Sequence, residues 1–256
     1  MTVKSANKYI LFIIVYEIFL SFLFSFLQYV PNLKLSLMGI QIFSQVVTFV
    51  LPFVIYLIIS KRKVHELVLL NKISFFNVAL ILAMMLFVQP IMLFFSALSM
   101  LFFENNISRI MVILFNEPLP LLLLTLAVTP SICEELALRG VVLSGYKNVD
   151  VKKAALINGV LFGIIHLDPQ QFLYAFALGS VFYLLVYYTK SIFASVIAHF
   201  VINATQVTMA YFAFHFSDNL DTAELSETLH ALPEAFSRSE ERRVEKECRS
   251  RWSPYH

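Results

Sequence analysis

Seven stretches of about twenty apolar residues dominate this sequence, at about 9–30, 36–60, 75–103, 119–145, 152–168, 172–189 and 191–215. A helix of that length just crosses a hydrocarbon layer about 30 Å thick. In lipid every backbone polar group must be satisfied internally, and unbroken runs of this kind do so as helices. Composition agrees: 59% of residues are hydrophobic and 14% charged, with mean hydropathy +0.77, against about 45–50% and about 25% in soluble domains. The predicted fold is therefore an all-α, polytopic transmembrane helical bundle of about seven spans, with room for an eighth. Such a composition excludes a disordered chain. Two cysteines, Cys133 and Cys248, cannot build a disulfide framework. No basic stripe is present, so no nucleic-acid partner is expected.

The first run follows Lys4 and Lys8, as a signal peptide would, but it is too long and no small-residue cleavage site follows it. It is expected to remain as a span. The third run carries Pro90, which predicts a kink, a tilt or a partly interfacial course. Charge placement then orients the bundle, because loops rich in Lys and Arg stay cytoplasmic. With the N-terminus inside, the cytoplasmic segments receive Lys4, Lys8, Lys61, Arg62, Lys63, Lys72, Lys147, Lys152, Lys153 and Lys190. The outside receives only Lys34 and Arg109. Residues 61–74 read as an amphipathic segment on the cytoplasmic surface, and 107–116 as a surface helix on the far side.

The last stretch, 238–256 (RSEERRVEKECRSRWSPYH), breaks from the apolar body and holds the only Trp. It resembles, except at Glu245, the translated read-through of a sequencing-library adapter, and is set apart as an artefact. Without it Lys plus Arg falls from 19 to 13 and Asp plus Glu from 17 to 13, leaving no net charge. Four regions result: an N-terminal transmembrane scaffold (1–118), a catalytic transmembrane core (119–215), an acidic segment (216–237) placed outside, and the tail (238–256).

Ionisable residues inside a bilayer are expensive and mark function by default. Three spans carry them in groups: Thr-Pro-Ser-Ile-Cys-Glu-Glu-Leu-Ala-Leu-Arg-Gly at 129–140, Phe162 to His166, and His199 to Asn203. Glu17 stands alone in the first span and reads as protonated or snorkelling. Counting from the cytoplasmic lysines at about 1.5 Å per residue puts Glu134, His166 and His199 roughly 14–20 Å deep, in one layer. A single Glu–Arg pair is often an internal staple, but scattered staples would not agree in depth. Residues four apart share a helix face, so Glu135 and Arg139 pair while Glu134 points to a neighbouring face. Pro130 removes the hydrogen bond to residue 126 and opens the helix ahead of the glutamates. Five of the six glycines fall between 140 and 179, which predicts the closest helix packing around this layer.

The ordered set EExxxR (Glu134, Glu135, Arg139), FxxxH (Phe162, His166) and HxxxN (His199, Asn203) resembles the CAAX-protease and bacteriocin-processing family of intramembrane proteases, also called Abi. The similarity covers roughly 119–205. Pro130, Gly140 and the Ala-His-Phe run at 198–200 agree with it, and Leu138 stands where the family usually has Phe. The resemblance implies an intramembrane endopeptidase acting on a membrane-associated peptide or protein in a bacterial plasma membrane. Bacteriocin processing or self-immunity would be its setting. By analogy Glu134 and His166 would activate water, His199 and Asn203 would stabilise the oxyanion, and Glu135, Arg139 and Phe162 would support the site. Glu134, His166 and His199 could also supply three Zn²⁺ ligands with an open fourth position, although the HExxH helix is absent. A metal-free, glutamate-activated water fits the same residues. A non-cleaving immunity or scaffold protein that binds a peptide in the same cleft is the alternative, and a proton-coupled transporter would need the repeated broken helices that are not seen.

The charge asymmetry generates a topology prediction. In intact cells an impermeant maleimide should fail to label Lys63→Cys or Lys147→Cys, and efficient labelling at either would invert the orientation.

Overall fold

The computed structural model describes residues 1–27, 36–105, 111 and 114–217. Lys34, Arg109, most of the expected surface helix at 107–116, and the acidic and adapter-like segments from 218 onward lie outside the described residues. Seven helices of appreciable length are described: α1 (Val3–Leu27), α2 (Leu37–Ser60), α3 (Phe75–Met100), α4 (Leu119–Tyr146), α5 (Val151–Ile164), α6 (Pro169–Thr189) and α7 (Ile192–Ser217). No strand occurs among the described residues. The chain is a multi-pass integral membrane protein with an all-α bundle.

Six of these helices are long and apolar enough to cross a membrane. The expected fifth span, 152–168, is not one of them. It is the 14-residue α5, about 21 Å long at the usual rise. Local chemistry ends it early. Leu167 turns into the left-handed region at φ 50°, and Asp168 caps the next helix by accepting from the Gln170 amide at 2.9 Å. Pro169 then takes the first helical position, where its missing N–H is no loss. The helix of α3, by contrast, runs unbroken through Pro90.

Two proline positions do alter their helices. Pro52 and Pro130 each follow a five-residue π-helical stretch, Val46–Val50 in α2 and Leu124–Val128 in α4. A wider turn relieves the clash of the ring with the preceding turn and frees carbonyls for other donors. A third π-helical stretch, Leu136–Val142, carries Arg139. Thus α4 is irregular on both sides of the glutamates, which is where such turns collect at functional sites.

Burial ranks the helices. Over its most apolar window α4 is 56% buried, against 17% for α1 and 22% for both α2 and α3. Hence α4 is the central helix, and the early spans expose Phe12, Phe19, Phe22, Phe75 and Phe87 as an apolar exterior for lipid. Close packing concentrates where the glycines are. A Cβ on Gly179 would lie 2.5 Å from the Phe162 Cβ, and one on Gly159 would lie 2.5 Å from the Phe176 carbonyl. The seam between α5 and α6 therefore closes to backbone contact.

The segments expected to be cytoplasmic meet on one side. Ser144 donates to the Met1 sulfur at 3.3 Å, and Asn7 bonds Tyr146. Burial, and after it the charges of Arg62 and Lys147, lower the pKa of the Met1 amino group. On the same logic Asn71 donates to the Lys190 carbonyl at 2.7 Å, Ser191 to the Asn71 carbonyl at 2.6 Å, and Ile192 to the Leu69 carbonyl at 2.8 Å. Within 61–74, Val64 is exposed while Leu67 and Val68 are buried, as an amphipathic surface segment requires. Every contact described above lies within the compact unit Met1–Ala210. The described part of the second unit is the end of α7, where Tyr211 packs against His215 at 4.3 Å.

Gly179→Ala should force α5 and α6 apart and lower stability by about 1–3 kcal/mol, the usual cost of overpacking. Gly39→Ala, whose added Cβ would meet nothing closer than 3.6 Å, should not. Unfolding midpoints in detergent compare the two.

Candidate active site

Arg139 is wholly buried in α4, and groups of α4, α5 and α6 close around it. Its Nη1 donates to Glu135 Oε1 at 3.1 Å, one turn earlier on α4. Its Nη2 donates to the Gly179 carbonyl of α6 at 2.9 Å. The guanidinium carbon lies 4.9 Å from the Phe162 ring centre of α5 and 5.4 Å from that of Phe182 on α6. Aromatic faces attract a cation most strongly where water is absent. Glu135 and Arg139 thus form the expected pair.

Glu135 has a second partner that spacing within one helix cannot reveal. His199 of α7 places Nδ1 3.1 Å from the same Oε1. A carboxylate held by arginine only accepts, so Nδ1 carries the proton and Nε2 is directed elsewhere. The ring stacks on Phe182 at 5.2 Å and meets Phe162 edge-on at 5.6 Å, leaving it one orientation. Ser195, one turn before it, lies beside the same carboxylate.

His166 is oriented by a helix end. The last turn of α5 leaves carbonyls without helical donors, and His166 Nδ1 donates to the Phe162 carbonyl at 2.7 Å. A carbonyl has no proton to give, so the neutral ring keeps its lone pair on Nε2. Phe162 also packs edge-on against this ring at 4.9 Å. The expectation that Phe162 packs and orients fits these contacts with Arg139, His166 and His199.

Asn203 answers the proline in α4. Pro130 cannot donate to the Leu126 carbonyl, and Asn203 Nδ2 donates to that oxygen instead, at 3.2 Å. One amide hydrogen is thereby occupied, and the second remains for another acceptor.

Glu134, turned away from Glu135, faces a cavity of about 390 Å³ whose wall includes Phe162, His166, His199 and Asn203. Glu134, His166 and His199, which depth counting groups together, thus line one chamber with Asn203. Glu134 is 6% exposed; its Oε1 accepts from Gln45 Nε2 of α2 at 3.3 Å, and its Oε2 has no protein partner. Gln45 was missed in the sequence, as were Gln41, Gln171, Tyr174 and Gln206, which also line the chamber. All are polar residues in apolar spans, the same signal in uncharged form. Glu17 reads as isolated in its own helix but lies in this wall. Two further residues brace it: Tyr174 bonds Gln171 Oε1 at 2.5 Å, and Gln171 reaches the α6 cap Asp168 at 3.4 Å.

Both histidines have Nδ1 engaged, one by the Phe162 carbonyl and one by Glu135, which leaves Nε2 of each as the atom that could face a metal ion. Among the described residues no three His, Cys, Asp or Glu side chains are grouped so as to hold a metal ion.

Residues 116–205, which contain every one of these motif residues, match the family described as Type II CAAX prenyl endopeptidase Rce1-like. This part of the chain is similar to that family. A Bacillus subtilis (strain 168) protein named "Putative membrane peptidase YdiL" is 31% identical to it over 94 residues, covering 36% of this chain and 38% of that protein. The chain thus aligns with less than two fifths of that relative's length. No solved structure matches it. Within the matched segment the motif residues belong to α4, α5, the turn after α5 and α7, while Gln45 and Glu17 come from helices ahead of it.

Glu135→Gln should leave Arg139 buried beside a neutral amide, which typically costs about 3–5 kcal/mol. Its defect should appear as loss of folded protein in fluorescence-detected size exclusion. Adding Arg139→Met, which removes the stranded charge, should restore part of the folded peak.

Proposed function

We propose that the chain is an intramembrane endopeptidase that hydrolyses a peptide bond of a membrane-associated peptide or protein with a glutamate-activated water. The observation that carries this reading is the Glu134 carboxylate, with one oxygen free, in a chamber shared with His166, His199 and Asn203. The Rce1-like match and the relative's name support the same class.

In the proposed reaction a water between Glu134 Oε2 and His166 Nε2 gives a proton to the carboxylate as its oxygen attacks the scissile carbonyl carbon. The tetrahedral oxyanion accepts from the remaining amide hydrogen of Asn203. It also accepts from His199 when that ring is protonated at both nitrogens, Nδ1–H facing Glu135 and Nε2–H facing the chamber. Collapse breaks the C–N bond, and the proton held by Glu134 passes to the departing nitrogen. The products are a carboxylic acid and an amine. Glu135 and Arg139 take no part in the proton transfers; they hold His199 in register.

Bacteriocin processing or self-immunity is the proposed setting, and bacterial substrates of this kind would enter from the bilayer. Glu134→Gln should keep expression and unfolding midpoint while lowering turnover by about 10²–10⁴-fold, the usual worth of a general base. Mass spectrometry of protein termini in membranes from cells carrying wild type or Glu134→Gln reads this directly. New termini that persist in the variant would overturn the proposal.

A further inference from the structure

A second cavity, of about 270 Å³, lies between α1 and α2. Its wall is polar on both sides although both helices cross hydrocarbon. Glu17 and Ser21 stand one turn apart on α1, and Gln41, Ser44, Gln45 and Thr48 follow helical spacing along one face of α2. The opposite face of α1 carries Phe19 and Phe22, 59% and 73% exposed. Glu17, Gln41, Gln45 and Phe49 line this cavity and the catalytic chamber alike, so the two spaces share a threshold.

The threshold holds polar atoms that the protein leaves unanswered. Ser21 and Ser44 satisfy their hydroxyls on the carbonyls of Glu17 and Gln41. Glu17 Oε2 and Gln45 Oε1 are buried and have no hydrogen-bond partner. Buried polar atoms are normally bonded to protein or ordered water, and a polar space of this size has room for several waters at about 30 Å³ each. Hydrolysis consumes one water per turnover, which lipid does not supply.

We infer that the α1–α2 cleft is a hydrated antechamber that delivers water to the catalytic chamber past Glu17 and Gln45. Gln45 is a positioning residue there: its Nε2 fixes Glu134 Oε1 and turns Oε2 toward the incoming water, while its Oε1 faces the threshold. The inference rests on the peptidase reading for its purpose, but the hydration itself does not.

Single cysteines at Ser21 and Ser44, with Gln41→Cys as a second position on α2, test it in the full chain in nanodiscs. The probe is 2-aminoethyl methanethiosulfonate, which reacts with the thiolate in water, and peptide mass spectrometry separates each site from Cys133 and Cys248. The cleft cysteines should react at least about tenfold faster than Phe19→Cys and Phe22→Cys on the lipid face of α1, since a thiol in apolar surroundings is seldom ionised. Equal, slow reaction at cleft and lipid faces overturns the antechamber whether or not the protein cleaves peptides. Fast labelling in a protein without peptidase activity would instead sink the proposed function and leave the cleft hydrated. For Gln45, Gln45→Met should lower kcat with KM unchanged; a rise in KM alone would make it a binding residue and reject the positioning role.

Discussion

One guanidinium organises this membrane protein. An arginine in the middle of a bundle costs so much to desolvate that its neighbours have to be arranged around it. Here Glu135, the Gly179 carbonyl, and the faces of Phe162 and Phe182 are those neighbours. Because His199 shares the Glu135 oxygen, the charge balance of the core and the aim of a candidate catalytic ring are the same interaction. No helix of α4 to α7 can shift without disturbing it.

Glycine and proline act as complements to that centre. Gly179 lets Phe162 approach closely enough to cover Arg139, and it also presents the carbonyl that Arg139 bonds. Pro130 leaves the Leu126 carbonyl without its helical donor, and Asn203 supplies one from α7. Absences in one helix, a side chain in the first case and an N–H in the second, are met by groups of another. Such pairings fix the depth and rotation of α7 against α4, and with them the histidine one turn before Asn203.

What could be read in the sequence follows from how far each signal reaches. Apolar run length gave the spans, and i to i+4 spacing gave the Glu135–Arg139 pair, because both live within one helix. Depth counted from lysines brought Glu134, His166 and His199 to one layer, since rise per residue is fixed. The partner of His199 was invisible: it depends on how α7 rotates against α4. Gln45 escaped for a similar reason, as did the place of Glu17 in the wall, since both lie in helices that carry no motif. The expected fifth span failed because apolarity alone does not stop a helix; Leu167, Asp168 and Pro169 do.

The shortness of α5 bears on how the protein is made. Fourteen residues are too few to cross the bilayer alone, and this helix ends at Ile164, with His166 and Asp168 in the turn that follows. It can enter the membrane only as half of a hairpin, with α6 supplying the length and the glycine seam supplying the grip. The α5–α6 pair is thus the unit of insertion, and His166 reaches its depth only when that pair closes. During synthesis the chain would carry α1 to α4, with Arg139 still lacking Phe162, Phe182 and Gly179, until the ribosome had passed residue 189. The chamber around Glu134 is therefore unassembled until nearly the whole bundle has been made.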